Sequence, residues 1–239
     1  MKNACFLIAF LSACSVAPEG VSVHDPYEDQ NRRVHAFNKA VNDQFSGLSG
    51  GGGASVDDDL KQLVVNFADN VSLPGMVLNG LLQGDIGTAG ANAMRFVLNT
   101  TVGVGGLFDP ADAVGLAERE TDFGQTLAVW GVPEGAYLEL PILGPSTERD
   151  LAGRIVDILI DPLERYGTRP QIDYGTAAGL AARVVKRGQV SGTIDSVLND
   201  SADSYAQLRL IYLQNRRFEL GTTSDADSVD PYDEIFGDQ

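Results

Sequence analysis

The chain is short of basic residues. Only 17 of its 239 residues are lysine or arginine, against 33 aspartates and glutamates, which gives a formal net charge of −16 at pH 7. Because nucleic-acid binding needs a basic surface, this balance argues against nucleic acid as a partner. It also argues against attraction to anionic lipid headgroups by charge alone. Any contact with a membrane must therefore depend on apolar burial or on a covalent anchor.

Residues that commonly do chemistry are also scarce. The two histidines are His24 and His35, and neither lies near a G-x-S-x-G or H-E-x-x-H motif. The glycines at 103–106 do not form the G-x-G-x-x-G pattern of a dinucleotide-binding loop. Acidic pairs such as Glu118 and Glu120 are better explained by surface solvation than by glycosidase chemistry. The sequence therefore predicts neither an enzyme nor a metal site.

A long apolar run is missing too, since a bilayer-spanning helix needs about 20 apolar residues. The apolar run at residues 4–11 is shorter, follows the charged start Met1–Asn3 and ends at the small residues Ser12 and Ala13. This layout is typical of a signal peptide. We expect it to cover residues 1–13.

Residues 11–14, LSAC, look like a bacterial lipobox, in which the cysteine is diacylated and, after cleavage, N-acylated. The alternative is an ordinary secretory signal that happens to end in cysteine. We expect Cys14 to be the anchor, because more than one acyl chain makes membrane attachment stable. Ser15 follows it, and the absence of aspartate there favours export to the outer membrane. With Cys5 removed and Cys14 acylated, the mature protein keeps no thiol for a disulfide or a metal.

The mature chain is patterned as amphipathic helices joined by Gly/Pro corners, which predicts a mainly α fold in a single domain. We expect a helix break at Leu73–Pro74, later helices over 174–187 and 193–220 with a break near Asn199, and no transmembrane helix. The predicted apolar stripes are Val34, Phe37, Val41 and Phe45; Leu60, Leu63, Val64, Phe67 and Val71; Val77, Leu78, Leu81 and Leu82; Met94, Val97, Leu98 and Thr101; Leu151, Ile155, Ile158 and Leu159; and Tyr205, Leu208, Ile211, Tyr212 and Phe218.

Local signals refine this outline. Asp25, Asp109 and Thr147 are predicted to cap the helices that follow them. The alternation over Tyr137–Leu143 allows a β-hairpin arm. Residues 46–55, SGLSGGGGAS, predict a flexible connector, because no Lys-Ser or Lys-Thr follows the glycines to make a phosphate loop.

The stretch 94–131 organises the chain. Its glycine corner, residues 103–106, is followed by Leu107, Phe108 and Asp109-Pro110, and glycines there allow sharp turns or close approach. This stretch resembles the VacJ/MlaA family of outer-membrane lipoproteins, as do the motifs DPYEDQNRRVHAFNKAVN at 25–42, LLQGD at 81–85 and LGPSTERD at 143–150. The resemblance extends over most of the mature chain. The connector departs from that family, where a more hydrophobic, proline-containing link is expected.

The resemblance implies a ring of amphipathic helices with a central passage, lying in the inner leaflet of the outer membrane. Phospholipids that have strayed into the outer leaflet would pass through it to a soluble periplasmic carrier, beside trimeric porins. The only attached group expected is the lipid on Cys14. The implied segments are a signal peptide (1–13), a lipidated tether (14–24), the helical domain (25–221) and an acidic disordered tail (222–239). The alternative is a scaffolding envelope lipoprotein without a passage.

The residues that we expect nearest the lipid path fall in three places: the first helix, the glycine corner and the 135–143 arm. For each of them, the alternative is an ordinary core or corner position. Phe37 is expected to pack, whereas Asn38 suits either solvent or a polar cavity. The candidates are Phe37, Asn38, Gly103, Gly105, Gly106, Leu107, Phe108, Tyr137 and Leu140.

Overall fold

The computed structural model describes residues 15, 18, 21–50, 57–163, 167–189 and 191–221. Within them the chain is mainly helical, as predicted, with one pair of strands. The helices are α1 (Glu28–Gly50), α2 (Asp58–Gln83), α3 (Ile86–Thr101), α4 (Pro110–Ala113), α5 (Phe123–Val129), α6 (Glu148–Ile160), α7 (Arg169–Gln189), α8 (Ser191–Asp200) and α9 (Ser204–Glu219). The strands are β1 (Tyr137–Leu140) and β2 (Gly144–Thr147). The predictions for the signal peptide (1–13), for Cys14 and for the tail (222–239) concern residues that lie outside the described part of the chain.

The chain forms two compact units. Unit 1 comprises residues 1–53, 131–152 and 192–239, and unit 2 comprises residues 54–130 and 153–191. Unit 1 therefore contains α1, both strands, nearly all of α8, and α9. Unit 2 contains α2 to α5, most of α6, and α7. The predicted single domain over 25–221 stays a prediction.

Unit 1 is built around a β-hairpin. Strands β1 and β2 pair antiparallel, with Tyr137 opposite Thr147. The arm predicted over Tyr137–Leu143 therefore supplies the first strand and the turn of a hairpin, whose second strand, Gly144–Thr147, lies beyond its predicted end. Tyr137, Tyr205 and Leu213 form the apolar core beneath it. The rings of Tyr137 and Tyr205 meet edge to face, with centroids 5.9 Å apart, a favourable aromatic geometry. The hairpin is thus fixed to α9.

Unit 2 is organised by α2, which packs against α3, α5 and α7. The sequence predicted a break at Leu73–Pro74, but one helix runs through Pro74, so that prediction is wrong. A proline inside a helix removes one backbone hydrogen bond and costs about 3 kcal/mol. Leu73 is only 1% exposed, and its burial with that of its neighbours outweighs this cost.

Two of the predicted caps are confirmed. Asp109 accepts a hydrogen bond from the Asp112 N–H at 3.0 Å, so it caps α4. The Thr147 hydroxyl accepts one from the Asp150 N–H at 3.2 Å at the start of α6. Side-chain acceptors at these places satisfy N–H groups that have no partner within the helix.

The third predicted cap is wrong. Helix α1 begins at Glu28, and the Asp25 carboxylate instead accepts hydrogen bonds from the Tyr205 hydroxyl and from Arg209 Nη1 at 2.7 Å. A buried carboxylate is strongly stabilised by a paired arginine, which explains why tertiary partners displace the local cap.

The predicted connector is wrong in its first half. Helix α1 continues to Gly50, so residues 46–50 are helical, and residues 51–56 lie outside the part described. A glycine costs a helix only about 1 kcal/mol, which the preceding turns can offset. The predicted break near Asn199 is confirmed, because α8 ends at Asp200 and α9 begins at Ser204.

Candidate functional site

Helix α3 presents a polar face to the interior of unit 2. Asn92, Arg95 and Asn99 are 0%, 4% and 4% exposed, whereas Met94 and Val97 are 56% and 54% exposed. The apolar stripe predicted from the spacing therefore lies on the outer side of the helix. A helix that buries its polar side chains and exposes its apolar ones is inverted relative to a helix of a water-soluble protein.

The same inversion recurs in α6 and α1. In α6 the predicted stripe residues Ile155, Ile158 and Leu159 are all exposed. In α1, Asn31 and Asn42 are buried, whereas Phe37 of the predicted stripe is 50% exposed and Val34 and Val41 are half-buried. The helical periods were predicted correctly, and the structure adds that the stripes of α3 and α6 lie largely on the outer side of their helices.

The polar face of α3 is bound to the segment that follows the glycine corner. Arg95 Nη2 lies 2.6 Å from Asp109 Oδ2, and Arg95 also donates to the Leu116 carbonyl. Asn99 Nδ2 donates to Asp109 Oδ1 at 2.9 Å. Burial tends to raise the pKa of Asp109, but hydrogen bonds from the Asp112 N–H, Asn99 and Arg95 outweigh it and lower that pKa. Asp109 is thus held ionised.

The Asn92 side-chain amide bonds the backbone of the same segment as a neighbouring β-strand would. Its Nδ2 donates to the Arg119 carbonyl at 2.8 Å, and its Oδ1 accepts from the Arg119 N–H at 3.2 Å. A completely buried amide is satisfied in this way. Nearby, Glu118 Oε2 lies 3.7 Å from Arg95 Nη2. Desolvation, followed by the charge of Asp69, raises the pKa of the Glu118 carboxyl.

A second buried polar network joins α2, α5 and α6. Asp157 accepts from Asn79 Nδ2 at 2.9 Å and from the Phe123 N–H at 3.0 Å. The Thr126 hydroxyl donates to Asn79 Oδ1 at 3.0 Å, and Gln83 Nε2 donates to Thr126 at 2.9 Å. Burial raises the pKa of the Asp157 carboxyl, although the two hydrogen bonds that it accepts act in the opposite direction.

The glycine corner is a tight packing element. A Cβ on Gly103 would lie 2.5 Å from the Asn99 carbonyl oxygen, and a Cβ on Gly106 would lie 2.6 Å from Asn70 Cβ. Gly106 also has φ +91°, which favours glycine. Gly105 has φ +73° but open space around it. Of the three candidate glycines, Gly103 and Gly106 are therefore packing positions.

The two apolar residues after the corner face outward. Leu107 is 39% exposed and Phe108 is 55% exposed. Their backbone is nevertheless fixed, since Asn66 donates to the Leu107 carbonyl at 3.1 Å and the Phe108 N–H donates to the Gly103 carbonyl at 2.9 Å. Apolar side chains on a fixed turn are suited to contact acyl chains, but this role stays a prediction.

In unit 1 the candidate Asn38 holds the hairpin. Its Nδ2 donates to the Leu140 carbonyl at 3.0 Å and to Glu139 Oε1 at 3.1 Å, and its Oδ1 accepts from the Ile142 N–H at 2.7 Å. Its amide thus bonds the hairpin, whereas the sequence predicted solvent or a polar cavity. Phe37 beside it is 50% exposed, so the prediction that it packs is wrong.

Tyr137 belongs to the core of unit 1. It is 1% exposed, and its hydroxyl donates to Glu139 Oε2 at 2.6 Å. Burial, with the adjacent Glu139 charge, raises the pKa of the Tyr137 hydroxyl far above its usual range. Leu140 is half-buried. Whether any of these side chains meets lipid stays a prediction.

The structure thus brings the predicted site residues together in two groups. Phe37, Asn38, Tyr137 and Leu140 lie in unit 1, and residues 103–108 lie in unit 2. Sequence reasoning missed the buried amides and Arg95. Their signal was visible, since Asn92, Arg95 and Asn99 recur at spacings of three and four, as a helix face requires.

Exposed apolar side chains occur on α3, α6 and α7 of unit 2. We call them the outer apolar set: Ile86, Met94, Val97, Ile155, Ile158, Leu159, Tyr174, Leu180 and Val184. Met94 and Val97, Ile155 with Ile158 and Leu159, and Leu180 with Val184 stand three or four residues apart, so each group lies on one face of its helix. Contiguous exposed apolar surfaces mark contacts with membranes or proteins. Among the described residues, no helix combines the length and apolarity needed to cross a bilayer.

The family model described as MlaA lipoprotein matches residues 23–219. The intermembrane phospholipid transport system lipoprotein MlaA of Escherichia coli (strain K12) is 30% identical over 199 residues, covering 81% of this chain and 77% of that protein. The protein of the same name from Haemophilus influenzae is 29% identical over 235 residues, covering 92% of each chain.

An uncharacterized protein of Rickettsia prowazekii is 37% identical over 191 residues, covering 79% of this chain and 75% of that protein. Among solved structures, a chain described under "Structural basis for maintenance of bacterial outer membrane lipid asymmetry" matches with a TM-score of 0.70 and 30% identity. The match covers 82% of this chain and 98% of that chain.

Proposed function

The chain belongs to the MlaA lipoprotein family, and on this basis we propose that it transports phospholipid at the bacterial outer membrane. It removes phospholipids that have strayed into the outer leaflet and passes them to a periplasmic carrier, which maintains lipid asymmetry. Relatives named as lipoproteins of an intermembrane phospholipid transport system support this proposal. The observation on which it depends most is that α3 in unit 2 buries polar side chains and exposes apolar ones.

The outer apolar set gives unit 2 a surface suited to acyl chains. Apolar burial contributes about 25 cal/mol per Å² removed from water, so these side chains favour a leaflet over solvent. Their helices lie in the leaflet without crossing the bilayer, as amphipathic helices do. Acylation of Cys14 adds the covalent attachment, which places the protein in the inner leaflet.

The buried polar groups suit a passage. A phospholipid headgroup crossing a leaflet needs hydrogen-bonding partners, because an unpaired polar group in an apolar medium costs several kcal/mol. Glu118, whose side chain is 21% exposed, and Asp157 provide polar groups inside unit 2. In the proposed function, the helices form a ring around a central passage in which such groups meet the headgroup.

Two partners complete the proposal. Trimeric porins are the proposed neighbours of the ring in the membrane, and a soluble lipid carrier receives the phospholipid. The family resemblance is the support for both. The competing function is a scaffolding lipoprotein that holds porins or the envelope and moves no lipid.

The test measures phospholipid exposed in the outer leaflet of cells that lack this gene. The cells are complemented with the wild type, with Cys14→Ala, or with Met94→Asn in the outer apolar set. We expect exposure to rise on deletion and only the wild type to restore it fully. In parallel, lipid extracted from the purified mature protein separates the two functions. Unchanged exposure together with a lipid-free protein would establish the scaffold instead.

A further inference from the structure

The predicted tether before α1 is held to unit 1 at several points. The Ser22 carbonyl accepts a hydrogen bond from Arg217 Nη2 at 2.9 Å, and the His24 carbonyl accepts one from the Tyr137 N–H at 2.8 Å. Arg217 is itself oriented by Glu134 Oε1, 2.9 Å from its Nη2. These two hydrogen bonds attach the tether to α9 and to β1, so the tether is part of unit 1.

The same segment is held at its beginning by Glu148. The Ser15 N–H donates to Glu148 Oε2 at 2.6 Å, and the Ser15 hydroxyl donates to the same oxygen at 2.9 Å. His24 Nε2 lies 3.2 Å from the Ser15 hydroxyl oxygen. Hydrogen bonds to an ionised acceptor are about twice as strong as neutral ones, so this is a firm attachment for a chain terminus.

The surroundings of Glu148 are shaped for this contact. Glu148 is the first residue of α6, and its Oε2 also accepts the Ala136 N–H at 3.2 Å. Gly135 has φ +78°, and a Cβ there would lie 2.8 Å from Glu148 Cβ. Only a glycine lets the chain pass so close to this side chain.

We infer that Glu148 is the positioning residue of the lipid anchor. The inference rests on the proposed acylation of Cys14, which is bonded directly to Ser15. Signal cleavage falls before Cys14, so the mature chain keeps both Ser15 groups that bond Glu148. Holding Ser15 limits the free part of the anchor to the acylated residue, and the acyl chains leave unit 1 at a defined place beside the Gly135 turn. A flexible tether of ten residues would instead have an end-to-end distance of about 15 Å or more, so the anchor would have no defined position relative to unit 1.

The experiment reports the mobility of the tether in the full mature protein. Pro18 is exposed and lies three residues from Ser15, and the Pro18→Cys variant receives a spin label in phospholipid vesicles. Because both natural cysteines are removed or acylated on maturation, this thiol is the one that reacts. Mass spectrometry of the amino-terminal peptide determines separately whether Cys14 is acylated.

We expect a slow, immobilised spectrum in the Pro18→Cys protein and a several-fold faster one when Glu148→Ala is added. Glu219→Gln, which changes a carboxylate of unit 1 bonded to Arg216, is the matched control and should leave the spectrum slow. Ser15→Ala removes the hydroxyl's contacts with Glu148 and His24 but keeps the N–H bond to Glu148. It should give an intermediate spectrum, which keeps the test valid if Glu148→Ala unfolds.

Two results would overturn the inference. A label that is already fast in the unsubstituted background, or that Glu148→Ala and Ser15→Ala leave unchanged, would mean that Glu148 does not position the anchor. An unmodified Cys14 would remove the acylation on which the inference rests. Acylation with a fast label contradicts the positioning alone and leaves the proposed transport function standing.

Discussion

Arg95 and Asp109 join the inner face of α3 to the cap of α4, with Nη2 and Oδ2 2.6 Å apart. The glycine corner lies between them in the chain, so this ion pair closes the turn that the corner makes. The Arg95 side chain is 4% exposed. Its charge is therefore compensated mainly by the carboxylates of Asp109 and Glu118, because little solvent reaches it.

Removing Arg95 should accordingly destabilise unit 2. We expect Arg95→Met to lower the free energy of unfolding by about 3 kcal/mol, because it leaves the carboxylates of Asp109 and Glu118 without their cation. Urea unfolding in detergent measures this change. Lys61→Met is the control, since Lys61 pairs with Asp58 at the surface and its loss should change the stability far less. Equal effects of both substitutions would contradict the structural role of Arg95.

The glycine corner allows a matched comparison of two glycines with positive φ. Gly105→Ala should cost about 1 kcal/mol, since its surroundings are open and only the left-handed backbone is penalised. Gly106→Ala should cost about 1–3 kcal/mol more, because its Cβ would also meet Asn70. The unfolding midpoints of the two variants decide the point. If they coincide, the corner does not pack on α2 as described.

The Arg32–Asp203 pair predicts a pH dependence in unit 1. The hydrogen bond from Arg32 lowers the pKa of Asp203 below its ordinary value of 3.8. A folded pKa below the unfolded one stabilises the protein above about pH 4, and this contribution is lost as pH falls through the folded pKa. Asp203→Asn should therefore cost about 1 kcal/mol at pH 7, and progressively less as the pH falls below about 4.

Stability profiles from pH 7 to pH 2 for the wild type and Asp203→Asn test this expectation. Asparagine keeps the cap of α9, where Asp203 accepts the Ala206 N–H at 3.1 Å, so the comparison isolates the charge. Two parallel profiles would exclude a contribution from the ion pair.

The outer apolar set predicts membrane affinity independent of the anchor. In mature protein carrying Cys14→Ala, we expect the double variant Met94→Gln and Val97→Thr to weaken binding to phospholipid vesicles roughly 30-fold, for about 2 kcal/mol of lost apolar burial. Co-sedimentation measures this binding. Val21→Thr, an exposed apolar position of unit 1, is the control and should bind as before. An unchanged affinity of the double variant would place α3 outside the leaflet.

The sequence by itself determined the features that depend on neighbours in the chain. The helical periods, the break after α8, the hairpin arm and the caps at Asp109 and Thr147 are all present, because each is fixed by spacing or by hydrogen bonds within a few residues. Family membership is also determined at this level, since motifs along most of the chain match in order.

Only the tertiary structure decided which face of each helix points inward. The period of α3 is the same whether Met94 or Asn92 is buried, and the choice depends on which partners lie across from it. Likewise, α2 continues through Pro74 because α3 and α7 pack against it. Asp25 does not cap α1, because it pairs with Arg209, which is distant in sequence. Such pairings exist only once remote segments meet, so no local pattern contains them.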